Sequence, residues 1–208
     1  MKKNSSYQEP DDKNKTASLE EIDLSSNYSY ANYLTWLFDD RVELIKGKVY
    51  EMSAPARYHQ QVSGSLYYFL FHYLKSKSCK VYAAPFDVRF FKDSKSDRDI
   101  DTVLQPDICV ICDRAKLDDK GCIGAPDIVV EILSPGNNRK ELFSKYKVYE
   151  EFGVKEYWAV NPGEKTLLKY MLDSDGKYQA FRLFTVSEKV HSEILPDFEL
   201  DLDEVFKD

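Results

Sequence analysis

Long apolar runs are absent from this 208-residue chain. Nothing approaches the roughly 18 consecutive apolar residues that a membrane-spanning helix needs, so a membrane protein of that kind is not expected. An apolar signal region is missing too. The opening MKKNSSYQEPDDKNKTASLE is polar, with four Lys and four Asp/Glu. It reads as a disordered or flexible leader over residues 1–25, ahead of a single domain at 26–208, with a cytoplasmic location as the default. No G-x-S-x-G, no phosphate-binding glycine loop and no H-E-x-x-H occurs, so an unrelated small-molecule hydrolase built on those devices finds no support. No internal repeat or interdomain linker is visible. An excess of positive charge is also lacking, since the net charge is −7. The tail DFELDLDEVFKD accounts for −5 of that and leaves −2 for residues 1–196. Any nucleic-acid surface must therefore be a local patch.

Cysteines are few: Cys79, Cys109, Cys112 and Cys122. Zinc or redox chemistry needs paired thiols side by side, usually on a knuckle or a helix start. Here PDICVICD reads as a strand, on which positions three apart point to opposite faces. The expectation is buried free thiols, as in a reducing compartment, with no structural zinc.

What is present is a 43% hydrophobic, 14% aromatic composition, enough for a real core. Tyr30 to Phe38 suggests a short helix, and RVELIKGKVYEMS a hairpin turning at Gly47. Val62, Leu66, Phe69, Leu70 and Tyr73 repeat at helical spacing over residues 59–74. Three strands are read next, KVYAAPFDVRFF, QPDICVI and DIVVEIL. A helix capped by Asn137 or Asn138 then runs to about Phe152, with Gly153 in the terminating position. KEYWAV, KTLLKYML and YQAFRLF are further strands. This order predicts an α/β or α+β fold, a mixed sheet flanked by helices. Tyr157, Trp158 and the many other aromatics read as core.

Chemistry concentrates in APDIVVEILSP. Glu131 interrupts an apolar strand, and a buried carboxylate costs several kcal/mol, on the order of its lost hydration, unless its charge is met. Asp127 shares its face but lies about 13 Å away at 3.3 Å per residue, too far to grip the same ion. Asp107 begins the preceding strand. Adjacent strands lie about 4.8 Å apart, so Asp107 and Glu131 can share one divalent cation. On the following helix, at 100° per residue, Leu142, Tyr146, Tyr149 and Phe152 form the apolar stripe. Lys140 and Lys147 fall outside it, whereas Lys145 falls inside. Either Lys145 snorkels or pairs with Glu141 one turn away, or it reaches the cavity of Asp107 and Glu131. Two acids and a lysine at a sheet edge suit metal-assisted phosphodiester hydrolysis, the lysine orienting or deprotonating the attacking water or neutralising the oxyanion. Residues 138–148 carry four basic side chains and one acid, and Arg139 and Lys140 beside the helix start could contact backbone phosphates.

The segments QPDICVICD, GAPDIVVEILSP and KELFSKYKVYEEFGVKEYW resemble the PD-(D/E)XK nuclease superfamily. More closely, they resemble the bacterial restriction-endonuclease family of the Uma type, over roughly residues 40 to 170. The resemblance implies a restriction-endonuclease-like fold and a Mg²⁺-dependent DNA endonuclease, with Mn²⁺ able to substitute. It places Asp107 at the PD position and Glu131 at the acidic position of the third motif. Leu133 stands where the superfamily pattern has its lysine, and Lys145 matches the helix lysine of the Uma-type pattern. His59 lies at the start of its helix, where the family also tends to show His, and reads as a satisfied structural histidine or else a supporting group. Gln105 either hydrogen-bonds the catalytic water or ends a loop. Glu141 stands where the family often shows Asp; Asp87 is a surface or supporting residue. Glu43 is shared with the family without a derivable role. A homodimer is the expectation for double-strand cleavage. The alternative is a catalytically inactive nuclease-fold module that binds nucleic acid or protein.

Overall fold

The hairpin at residues 42–51 forms as its alternation dictates: β1 (Val42–Ile45) pairs antiparallel with β2 (Lys48–Glu51). Lys46 and Gly47 take positive φ at the turn, which glycine does without steric cost. These and all later coordinates come from a computed structural model that describes residues 18–134 and 139–207, and for 139–142 the backbone only. The expected cap at Asn137 or Asn138, the side chains of Arg139, Lys140, Glu141 and Leu142, and residues 1–17 of the leader lie outside the described residues.

Ahead of the hairpin, helix α1 covers only Tyr30–Tyr33 instead of continuing to Phe38. Thr35 turns its hydroxyl onto the Asn32 carbonyl, a local bond that competes with helix continuation. Helix α2 (Arg57–Leu74) matches its periodicity, burying Val62, Leu66, Leu70 and Leu74.

The segment read as three strands before the next helix holds seven among the described residues. They are β3 (Lys80–Ala83), β4 (Val88–Phe90), β5 (Thr102–Leu104), β6 (Ile108–Ile111), β7 (Leu117–Asp118), β8 (Gly121–Ile123) and β9 (Ile128–Ile132). The single strand expected over KVYAAPFDVRFF is two, placed in different sheets. Pro85 offers no N–H to a ladder and stands between them. Strands β5, β7 and β8 are two or three residues long, too short to show a period. Helix α3 (Arg139–Phe152) follows and ends at Gly153, φ 82°. Then come β10 (Glu156–Asn161), β11 (Thr166–Leu172), β12 (Tyr178–Thr185), β13 (Lys189–His191), β14 (Glu199–Asp201) and helix α4 (Leu202–Val205). The tail is more than a run of acids. Phe198, Leu200, Leu202, Val205 and Phe206 are buried in the same cluster as α2.

The described strands form two six-stranded sheets, ordered β2-β1-β5-β4-β8-β7 and β12-β11-β10-β9-β6-β3, with β13-β14 as a separate pair. The fold is thus a mixed α/β arrangement, as expected, with parallel β9–β10 joined through α3 and antiparallel β6–β9 beside them. Side chains alternate across this second sheet. Ile108, Val110, Ile128, Val130 and Ile132 pack with α2. Cys109, Ile111 and Val129 pack with Val148 and Tyr149 of α3 on the other side. Tyr157 and Trp158 are core, as read.

One cysteine expectation is corrected. Cys79 and Cys112 form a disulfide, because the antiparallel register that matches Lys80 with Ile111 puts the next positions opposite each other. Only Cys109 and Cys122 are free, and both are buried.

Candidate active site

The register Ile108↔Val130 continues one step to set Asp107 across from Glu131. Each is on the parity of its strand that faces α3. The backbone N–H of Ile132 donates to Asp107 Oδ2 at 2.7 Å, which fixes that carboxylate at the end of β6. His59, in the first turn of α2, holds Nε2 at 3.3 Å from the same oxygen. Burial works against a charged imidazole, but the Asp107 carboxylate outweighs it and holds the His59 pKa above its usual value. His59 is thus tied to the Asp107 side of the cluster.

Lys145 is buried, as its place in the apolar stripe required. Its Nζ donates to Glu43 Oε1 at 2.9 Å and reaches both oxygens of Glu131 at 3.4 Å. The Tyr149 hydroxyl, one turn further along α3, donates to Glu131 Oε1. Lys147, by contrast, is half exposed and pairs with Glu150. Burial pushes Glu131 up to about 8; Lys145 pulls it down, whereas Asp107 and Glu43 push it further up. Burial also opposes the Lys145 charge, but Glu131 and Glu43 more than offset it and hold the ammonium above the usual lysine range. Among the described residues one ammonium therefore faces two close carboxyl groups in a dry place, and Glu131 is the one that burial drives to hold a proton up to about pH 8.

Sequence reasoning left Glu43 without a role and did not single out Arg41 or the Tyr149 hydroxyl. Glu43 is buried on β1 and accepts from the Gln105 backbone N–H at 2.8 Å as well as from Lys145. Gln105 links outward. Its Oε1 accepts from Arg41 Nη2 at 2.9 Å, and its Nε2 donates to Asp87 Oδ1 at 2.9 Å and to the Tyr33 hydroxyl at 3.1 Å. Asp87 thus belongs to a hydrogen-bonded support behind the cluster, together with Tyr30, whose hydroxyl also donates to it. An acid at the second position of an otherwise apolar strand, VELI, was the available signal for Glu43. Nothing local marks Arg41. Asp127 sits at the strand entry, accepting from the Cys112 N–H and Lys155, and takes no part.

A cavity of about 570 Å³ opens onto this cluster, lined by Arg41, His59, Asp107, Glu131, Ser134 and Lys145 with the first turns of α2. Among the described residues, no three His, Cys, Asp or Glu side chains converge as a ready-made metal cage. The donor set nevertheless fits Mg²⁺ or Mn²⁺. Two hard carboxylates meet at one cavity with more negative charge than Lys145 offsets, and Mg²⁺ is commonly held by one or two carboxylates with water filling the remaining positions.

The mixed sheets with flanking helices are of the restriction-endonuclease-like class of folds, and Asp107 and Glu131 lie at the ends of two adjacent inner strands. The family model Uma2, described as "Putative restriction endonuclease", matches residues 30–203, and the chain belongs to that family. Among solved structures it is similar to a "putative nuclease belonging to DUF820" from Anabaena variabilis ATCC 29413. Identity is 18% and the TM-score 0.68, over 86% of this chain and 97% of that chain, a likeness of fold. The curated proteins contain no match to this sequence. No helix among the described residues is long and apolar enough to cross a membrane.

Proposed function

We propose that the protein is a metal-dependent DNA endonuclease whose working groups are Asp107, Glu131 and Lys145. The observation that carries the reading is the surplus carboxylate of Glu131. It is buried, it faces the cavity, and its cationic neighbour among the described residues, Lys145, is already bonded to Glu43. A fold that only needed to satisfy Lys145 could do so with Glu43 alone. Asp107 and Glu131 would hold Mg²⁺ or Mn²⁺, which when bound supplies a more acidic water and an offset for charge on the phosphate.

The chain's own groups divide the remaining work. The high Lys145 pKa supports a positioned ammonium that stabilises charge on the phosphate, and argues against a lysine that removes a proton. Tyr149 and Lys145 hold the Glu131 carboxylate in one orientation, and His59 with the Ile132 N–H does the same for Asp107. Arg41, bonded to the neutral Gln105 oxygen at the cavity wall, is placed to meet a neighbouring phosphate. Glu141 has no assigned part in this reading.

The test is cleavage of supercoiled plasmid with Mg²⁺ or Mn²⁺, run beside Glu131→Ala. The wild type should nick or cut and the variant, still folded, should not. Equal cleavage by both would assign the activity to a contaminant and sink the proposal. Lys145→Met should lose cleavage while still binding Mn²⁺, read by calorimetry.

A further inference from the structure

The cavity does not stop at the acids. Gln60, Ser63, Gly64 and Tyr67 of α2 form one of its walls, and these positions continue along the helix to Phe71 at three- and four-residue steps. Phe71 is 49% exposed and Tyr68 60%, against the expectation that the aromatics are core. Tyr67 and Phe71 stand with ring centroids 5.9 Å apart and planes 18° from parallel. Phe71 lies about 6 Å beyond Tyr67 along the axis at 1.5 Å per residue. The exposed rings are therefore continuous with the candidate active site.

The charge along this stretch of the chain is unlike the rest of the sequence. In a chain of net charge −7, no Asp or Glu occurs between Glu51 and Asp87, whereas Arg57, Lys75, Lys77 and Lys80 do. Arg57 and Lys75 bracket α2 at its two ends. At the centre of the ridge stands Gly64, where a Cβ would meet nothing within 4 Å. A glycine inside a helix is unfavourable relative to alanine, and internal packing does not demand one here. A bare position at the cavity lip admits close approach by another backbone.

We infer that the outer ridge of α2 is a track for single-stranded DNA, on which unpaired bases stack against Tyr67 and Phe71 while the strand enters the cavity at Gly64. This rests on the endonuclease reading and narrows its substrate to DNA with unpaired bases beside the cut. In a continuous duplex the base faces are already covered by their neighbours. Exposed rings gain only from bases that are free to stack, and such stacking tolerates any sequence. The basic residues at the two ends of α2, Arg57 and Lys75, suit the phosphates of that strand.

The experiment measures fluorescence anisotropy of a labelled oligothymidine single strand and of a blunt hairpin duplex, in EDTA so that nothing is cut. The single strand should bind at least tenfold more tightly. Phe71→Ala should weaken single-strand binding roughly tenfold, leave the duplex unchanged, and be rescued by Phe71→Trp. Equal affinity for both forms, or no effect of Phe71→Ala on the single strand, overturns the inference. So does a sedimentation result in which the wild type is a dimer and Phe71→Ser a monomer. Adding Mn²⁺ separates the two readings. Cleavage of duplex that ignores Phe71→Ala removes the track and keeps the nuclease. Single-strand binding that depends on Phe71 without cleavage keeps the track and removes the nuclease.

Discussion

Replacing Lys145 with methionine removes one charge from the buried cluster with little change in length. Glu43 then loses its 2.9 Å partner and Glu131 its two contacts at 3.4 Å. All three side chains are almost fully buried, so solvent cannot replace what is lost. Breaking a buried pair by deleting one member costs about 3–5 kcal/mol. In a chain of this size each kcal/mol corresponds to about 2–4 °C in Tm, which gives a fall of roughly 6–20 °C. Lys147→Met is the control. Its side chain is 50% exposed, and the change should stay within about 1 kcal/mol. The double variant Glu43→Gln/Lys145→Met leaves a neutral amide whose oxygen still accepts from the Gln105 N–H, so the two changes should be non-additive by roughly 2 kcal/mol. Urea denaturation at pH 7 in EDTA measures five proteins: the wild type, Glu43→Gln, Lys145→Met, Lys147→Met and the double variant. If Lys145→Met is as mild as Lys147→Met, or if the double variant is simply additive, the buried cluster of Lys145, Glu43 and Glu131 is not the one described.

Further expectations follow from the same geometry. Glu131 is raised from 4.5 to about 8, so the folded protein keeps a proton that the unfolded chain has already lost. The metal-free fold should therefore lose stability as pH climbs through that interval. Urea midpoints at pH 5.5 and 8.5 should show a larger fall for wild type than for Glu131→Gln, which isolates this group from His59; equal falls would contradict the assignment. In the same interval Mn²⁺ binding should release a proton, seen as a buffer-dependent heat. Gly64→Ala should stabilise the protein by about 0.5–1 kcal/mol, a gain in Tm that comes with weaker cleavage if the lip is crowded by the methyl group. Tyr149→Phe deletes the hydroxyl bonded to Glu131 and should cost about 1–3 kcal/mol in urea denaturation; no cost would mean that bond does not hold the carboxylate.

What the amino-acid order determined alone is whatever repeats within one element. Helical spacing located α2 and α3 and singled out Lys145 from Lys147, and strand alternation set Cys109 and Cys112 on opposite faces. Two apolar strands, each carrying one acid, made Asp107 and Glu131 candidates for a shared site. Periodicity is a property of one segment against one environment, so it survives without knowledge of the rest of the chain. The tertiary structure decided everything that depends on which distant segments meet. Glu43 reaches Lys145 across 102 positions, and Arg41 reaches Gln105 across 64. The antiparallel register of β3 and β6 brings Cys79 to Cys112. Short strands such as β5 and β8 exist because neighbours in a sheet supply their hydrogen bonds, and two or three residues carry no period of their own. The partner of a buried charge is chosen by packing across the fold, and local order in the chain does not encode that choice.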